Sequence, residues 1–311
     1  MWADELDRED KGRWPSDEQW MLAAMIAVAA VAGAIVYKTV WRGGLGTTGL
    51  MFIGIPVVLA VLLAFTPKAK TAKGAIVKGL AIILLTAAPL AGEGYLCILF
   101  ASPLFFAVGL VTGACLDYAR KKQREDKDRS VFAWAWLALL PMALEGVTPT
   151  LSFARSERVE TVRVVRAAPA QVEQALAAGL RPETPLPGFL RIGFPRPLAV
   201  QGTGLRVGDL RRMHFSGAEG DGPGDLVMRV AASGPGYVRF ERVSDETHLR
   251  QWMAWEVSEV RWHEVAPGQS EVRWTIQYAR RLDPAWYFGP WERFAVKQAA
   301  DYLIAADADP R

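Results

Sequence analysis

Few residues of this chain have types that invite chemistry, and their spacing limits what that chemistry could be. His214, His248 and His263 fall in no HExxH pattern, and Cys97 and Cys115 form no CxxC pair, so neither a metal nor a cofactor is expected. Gly202-Thr203-Gly204 lacks the third glycine of a dinucleotide fingerprint and reads as a turn, and no G-x-S-x-G elbow is present. His248, with Asp245 and Glu246 beside it, lies in a loop-like segment, where it either rims a cavity or is a surface histidine. His214 alternates against Phe215 and reads as outward. Arg211 shares the inward parity of Met213 and Phe215 if no bulge intervenes. Such a buried cation needs a carboxylate or phosphate partner; the alternative is an ion pair with its neighbour Asp209. Within the apolar runs of the first half, Lys78 and Glu145 are the ionisable candidates for a transport pathway. The simpler reading has Lys78 snorkelling and Glu145 lying near a membrane interface.

The elements that would position these residues fall into two unlike halves. Residues 20–151 are long uncharged runs separated by short basic loops, whereas residues 152–311 are charged, Arg- and Pro-rich, and alternate with a period of two. Residues 1–19 form a polar tail of mixed charge, unlike a cleavable secretory signal. About 20 apolar residues cross a bilayer, which gives candidate spans at Trp20–Tyr37, Thr48–Thr66, Gly74–Gly92, Tyr95–Leu116 and Val131–Leu151. The last carries Pro141 and Glu145, so a bundle of either four or five helices is expected. The loops holding Lys68, Lys70, Lys73 and Lys78, and Arg120, Lys121, Lys122, Arg124, Lys127 and Arg129, read as cytoplasmic, with the N-terminus on the same side. Five spans would put the C-terminal domain outside the cytoplasm and four would keep it inside. Gly109-x-x-x-Gly113 would let two helices approach closely. The net charge of +3 gives no case for nucleic acid. The chain has no Asn, and its wealth of Ala, Arg and Pro suggests a GC-rich bacterial coding bias; with the candidate spans, the expected location is a bacterial inner membrane.

The second half reads as a strand over Glu157–Arg166, then a short helix opened by Ala168-Pro169-Ala170 and closed by Gly179. A Pro-rich connection follows, then strand-like runs over Leu205–Phe215, Leu226–Ala232, Tyr237–Val243, Trp252–Val265 and Glu271–Ala279. A long helix over Trp291–Ala306 closes the chain, with Trp291, Phe294, Ala295, Ala299, Tyr302, Leu303 and Ala306 on one face. Alternation turns Val207, Arg211, Met213, Phe215, Met228, Val230, Val238, Phe240, Trp274 and Tyr278 inward. Trp252, Trp255 and Trp262 occupy both registers of their strand, and its faces cannot be assigned.

The stretch from Glu157 to Ala306 resembles the START-like (SRPBCC) superfamily, which includes polyketide cyclase/dehydratase-like and lipid-transfer proteins. The resemblance lies in Val162–Val172 as the opening strand and helix start, and in Gly202-Thr203-Gly204 with Val207-Gly208 and Arg211–Phe215 as a Gly-rich approach to the next strand. Leu282-Asp283-Pro284 with Tyr287 resembles the family's approach to the last helix, while Glu173 stands where the family usually carries Trp. The resemblance implies an α+β helix-grip fold, a curved antiparallel sheet around a long C-terminal helix. It also implies an internal cavity for a lipid or other hydrophobic small molecule, lined by Arg211, Met213, Phe215, Met228, Val230, Val238, Phe240, Trp274 and Tyr278. The expected protein is therefore a membrane-tethered binding module with no assigned catalysis. Two alternatives stand beside it: a cyclase/dehydratase-type enzyme using Arg211, His248 and Tyr278, and a sensory or assembly protein whose soluble domain binds a partner.

Overall fold

In the computed structural model the described residues are 20, 21, 24, 69, 71–91, 95–123, 145, 152–218 and 222–310. The chain divides into two compact units, Met1–Leu139 and Leu140–Arg311.

In the first unit, helices α1 (Ala72–Ala91) and α2 (Tyr95–Gln123) pack on each other. Thr71 Oγ1 accepts a hydrogen bond from the Gly74 N–H at 3.1 Å. Asp117 of α2 accepts the Ala72 and Lys73 N–H groups at 2.7 and 3.2 Å, satisfying α1 donors that have no partner within their own helix. Gly109 and Gly113 lie where the helices are closest: a Cβ on Gly109 would stand 2.3 Å from Leu80 Cδ1, and one on Gly113 would stand 2.7 Å from Lys73 Cα. One described stretch, Ile98–Tyr118, is long and apolar enough to cross a membrane, by length and composition alone. A bundle of four or five spans is thus unsupported. Trp20–Tyr37, Thr48–Thr66 and Val131–Leu151 lie outside the described residues except for Trp20, Met21, Ala24 and Glu145.

The second unit is built on one seven-stranded antiparallel sheet in the order β1-β7-β6-β5-β4-β3-β2. Its strands are β1 (Ser156–Val165), β2 (Pro197–Gln201), β3 (Leu210–Phe215), β4 (Gly224–Gly234), β5 (Tyr237–Asp245), β6 (Met253–Ala266) and β7 (Gln269–Arg280). Helix α3 (Pro169–Ala178) follows β1, and the long α4 (Ala285–Leu303) runs on into a π-helical turn, Ile304–Ala308. Pro169 occupies the first turn of α3, the Gln171 side chain accepts the Ala168 N–H at 2.9 Å, and Gly179 at φ +96° ends the helix. The second unit is therefore a helix-grip domain, with α4 packed against β1 and β7 over a core that spans the sheet.

Three differences from the expected elements have local causes. β2 lies in the Pro-rich connection, where Pro197 is tolerated because β2 is an edge strand. Val207 falls in the turn before β3, which starts only at Leu210, and is exposed. In β6 the register shifts between Trp255 and Val257, so the inward positions change from 253 and 255 to 258, 260 and 262. That bulge puts both Trp255 and Trp262 inside, which no single alternation could do.

Helix α4 is also longer and differently turned than expected. It begins at Ala285, with Pro290 in its second turn, and it buries Gly289, Glu292, Val296, Ala300, Tyr302 and Leu303. Trp291 and Phe294, expected on the buried face, are exposed. Over the first turns of α4 the buried face lies about 100° from the expected one, with Gly289, Glu292 and Val296 inside, while Tyr302, Leu303 and Ala306 are buried as expected.

Candidate functional site

All nine residues expected to line a cavity are buried: Arg211, Met213, Phe215, Met228, Val230, Val238, Phe240, Trp274 and Tyr278. The pairing Arg211↔Met228 joins β3 to β4, Val230↔Phe240 joins β4 to β5, and Val260↔Trp274 joins β6 to β7. Each apolar member packs into the unit's core.

Arg211 does not pair with Asp209. Asp209 instead accepts the Arg206 N–H at 2.9 Å and closes the turn before β3. The Arg211 guanidinium donates to Asp307 Oδ2 at 2.8 Å and to the Leu176 carbonyl, and it lies 4.8 Å from the centroid of the Phe240 ring. It thus ties β3, α3, β5 and the C-terminal π turn together. Burial pushes Asp307 up to about 6, opposed by the charge and hydrogen bond of Arg211 and by the charge of Arg181. Beside this pair a cleft of ≈ 290 Å³ opens between Gln171, Gln174, Gly179, Arg181, Ala306 and Pro310. None of the nine residues lines it.

A second polar group lies under the start of α4. Arg280 ends β7 with its side chain fully buried, donates to Asp283 Oδ1 at 2.7 Å and to the Leu282 carbonyl, and stands 3.8 Å from Glu145 Oε1. Glu145, expected near a membrane interface, is instead almost wholly buried in the C-terminal unit, where its Oε1 accepts the Ala285 N–H at 2.9 Å. A carboxylate there caps α4 and meets the positive end of its dipole. Arg155 joins the same knot through Asp283 at 2.6 Å.

Glu292 lies on the buried face of α4, near Arg280 and Tyr278. Burial raises it to about 8, against the charge of Arg280 and the nearby Leu282 backbone amide, while Glu157 and Asp283 add to the rise. The Leu282 amide is close enough to favour the carboxylate, yet neither Glu292 oxygen makes a hydrogen bond. At neutral pH the group is therefore largely a neutral acid, able to donate. The Tyr278 phenol is raised first by burial and then by the charges of Glu292 and Glu157. Tyr302, farther along α4, is pushed up to about 12, mainly by burial.

These groups share an uncommon feature. The Tyr278 and Tyr302 hydroxyls, Trp274 Nε1, Thr161 Oγ1, Arg280 Nε and Nη2, and both Glu292 oxygens are buried without a hydrogen-bond partner in the protein. A buried polar atom left unpaired costs about 1–3 kcal/mol, and of these residues Tyr278, Arg280 and Glu292 lie close enough to act on one another's charge.

The polar set proposed for catalysis is not brought together. Arg211 meets residue 307 and Tyr278 faces residue 292 of the same helical rod, about 22 Å apart at 1.5 Å per residue. His248 is buried in a short 3₁₀ turn with its ring edge-on to Trp252, 4.8 Å between centroids, rather than at a rim. His214 faces outward as expected, 2.7 Å from Asp225 Oδ1. Among the described residues no cluster of three or more His, Cys, Asp or Glu is placed to hold a metal ion. Sequence reasoning missed Arg280 and Glu292. For Arg280 a signal existed, since it continues the inward parity of Trp274, Ile276 and Tyr278; for Glu292 the apolar period pointed away.

No protein-family model and no curated protein matches the sequence. Among solved structures, the C-terminal half is similar to a major latex-like protein of Panax ginseng, with 16% identity, 48% of this chain and 99% of that one covered, and a TM-score of 0.28. It is similar to norcoclaurine synthase of Thalictrum flavum in complex with dopamine and hydroxybenzaldehyde, with 12% identity, coverage of 48% and 87%, and a TM-score of 0.29. It is also similar to the Aha1 dimer of Colwellia psychrerythraea, with 18% identity, coverage of 50% and 98%, and a TM-score of 0.28. At such values the assignment rests on the geometry itself.

Proposed function

We propose that the C-terminal unit binds a lipid or other hydrophobic small molecule between its sheet and α4, and that the apolar runs of the first half hold it at a membrane. The observation that carries this reading is the set of unpaired polar atoms on Arg280, Glu292 and Tyr278, in a unit whose core is otherwise apolar. An amphiphile fits that pattern. Its tail takes the place of core contacts, and its polar head accepts from the Arg280 cation, the Glu292 acid and the Tyr278 phenol. Catalysis by Arg211 with Tyr278 is disfavoured because they face residues 307 and 292, toward opposite ends of the last helical rod.

The test is native mass spectrometry, with solvent extraction, of the full chain released in detergent, beside Tyr278→Phe and Val230→Trp. One hydrophobic molecule per chain is expected in the wild type. Removing the phenol costs about 1 kcal/mol, a retention loss of about fivefold, and Val230→Trp abolishes retention by filling the interior. Identical co-purifying lipid in all three, or none in the wild type, refutes the reading. A second reading, a soluble domain that binds a partner, is favoured by one observation: Trp286, Trp291 and Phe294 are exposed on α4.

A further inference from the structure

The outer side of α4 is unusual for a helix that closes a domain. Trp286, Trp291 and Phe294 are 51%, 42% and 45% exposed, while Gly289, Glu292, Val296 and Ala300 take the buried face. From Phe294 the ring contacts run through the half-buried Phe189 and Phe194 of the Pro-rich connection to the buried Trp252. Phe294 packs edge-on against Phe189 at 4.8 Å, Phe189 against Phe194 at 5.4 Å, and Phe194 against Trp252 at 5.4 Å, with Ile192 exposed beside them. Cations border it. Arg191, Arg250, Arg281 and Lys297 are exposed and carry no ion pair among the described residues, and Arg281 donates to the Arg250 carbonyl at 2.8 Å, which places those two together.

We propose that this aromatic and basic face docks on a lipid bilayer whose surface carries anionic headgroups. Two observations favour a bilayer over a protein. Large amphipathic rings fringed by arginine and lysine are the composition that lies in the headgroup layer, with rings at the hydrocarbon boundary and cations at the phosphates. The position within the fold agrees: Glu145, within the apolar sequence 131–151, is fixed to the first residue of α4 at 2.9 Å, one residue before Trp286. The aromatic face therefore begins beside Glu145, which belongs to that apolar sequence. Docking rests on the membrane-tethered reading above only in bringing the unit within reach of a bilayer, and it is independent of what the interior binds. It would set the start of α4, and with it the Arg280–Glu292 cluster, against the lipid.

The test uses the full chain with Cys97→Ser and Cys115→Ser, carrying a nitroxide at Trp286→Cys, Phe294→Cys or Ile192→Cys. The chain is reconstituted in vesicles of two-thirds phosphatidylcholine and one-third phosphatidylglycerol. All three positions are exposed, so labels there leave the core intact. The control is Val265→Cys, exposed at the far end of β6, about 40 Å along the strand from Met253. The expected result is a severalfold higher ratio of oxygen to aqueous-nickel collisions at 286, 294 and 192 than at 265, lost at 192 when Trp286→Glu and Phe294→Glu are added. Aqueous accessibility at all four positions, in a chain that resists carbonate extraction, overturns docking and leaves the tether standing. A chain that carbonate removes from the vesicles overturns both. Labels shielded from oxygen and nickel alike, in detergent as in vesicles, also overturn the proposal, because the face is then covered by protein.

Discussion

Replacing Glu292 by Gln keeps the size and polarity of a buried side chain while removing its titration. Burial holds the Glu292 carboxyl near 8, against an ordinary value of 4.5. Between those values the folded protein keeps a proton that the unfolded chain has released. The contribution of the neutral acid is thus complete below about pH 4.5 and is lost as pH rises through about 8. A shift of this size corresponds to roughly 5 kcal/mol as an upper limit, and residual solvent screening lowers it to about 2–3 kcal/mol. The wild type should therefore lose about 2–3 kcal/mol relative to Glu292→Gln between about pH 5 and pH 9. The assay is urea denaturation of the full chain in detergent at those two pH values, followed by emission from the buried Trp255, Trp262 and Trp274. Asp307 and the other acids titrate in both proteins, so the difference between the curves isolates Glu292. Stability curves that stay parallel across the range would show that Glu292 is ionised and solvated when folded, and the polar cluster under α4 would then not be a desolvated site.

Arg211→Met should cost up to about 3–5 kcal/mol at neutral pH, because it removes the ion-pair partner of the buried Asp307. That cost should shrink as pH falls and Asp307, no longer held down by the charge and hydrogen bond of Arg211, takes up a proton, and Arg211→Met/Asp307→Leu should recover most of it; denaturation of the three variants at two pH values checks both points. Gly202→Ala should cost at least about 1–3 kcal/mol, because Gly202 sits at φ +91° and the added Cβ would stand 2.0 Å from the Leu210 carbonyl oxygen. Gly188→Ala, with nothing within 4 Å of its Cβ, is the matched control and should stay within about 0.5 kcal/mol of wild type.

The strands of the second unit were legible because a half-buried sheet imposes a period of two. Leu210–Phe215 and Gln269–Arg280 show it plainly, with buried residues at every second position. β6 was legible as a strand but not as faces, since the bulge beyond Trp255 changes parity in mid-strand, and a parity change leaves the same mark as a two-sided apolar strand. β2 carried no usable period, being five residues long and opened by Pro197. Within the site, Arg211 was legible through its parity, but its partner was not, because Asp307 lies 96 residues away on an element whose final turn is π-helical.

The outward rings and inward carboxyl at the start of α4 match what the proposed function requires. An apolar period locates a core only when the most apolar side of a helix is the buried side. Here the buried side carries Gly289 and Glu292 across from Arg280 and Tyr278, while Trp286, Trp291 and Phe294 point out. Each half of that inversion costs stability. A buried carboxyl gives up hydration, and exposed aromatic rings leave apolar area in water, at about 25 cal/mol per Å². Stability alone would favour an apolar side chain at 292 and polar ones at 286, 291 and 294. Both costs are offset if the inner side meets the polar head of a bound molecule and the outer side meets lipid. The first turns of α4 thus tie the proposed interior site to the proposed membrane face. On this reading, apolar replacement at position 292 should stabilise the unit while lowering ligand retention, and acidic replacement at 286 and 294 should leave its stability unchanged while releasing the face from the bilayer.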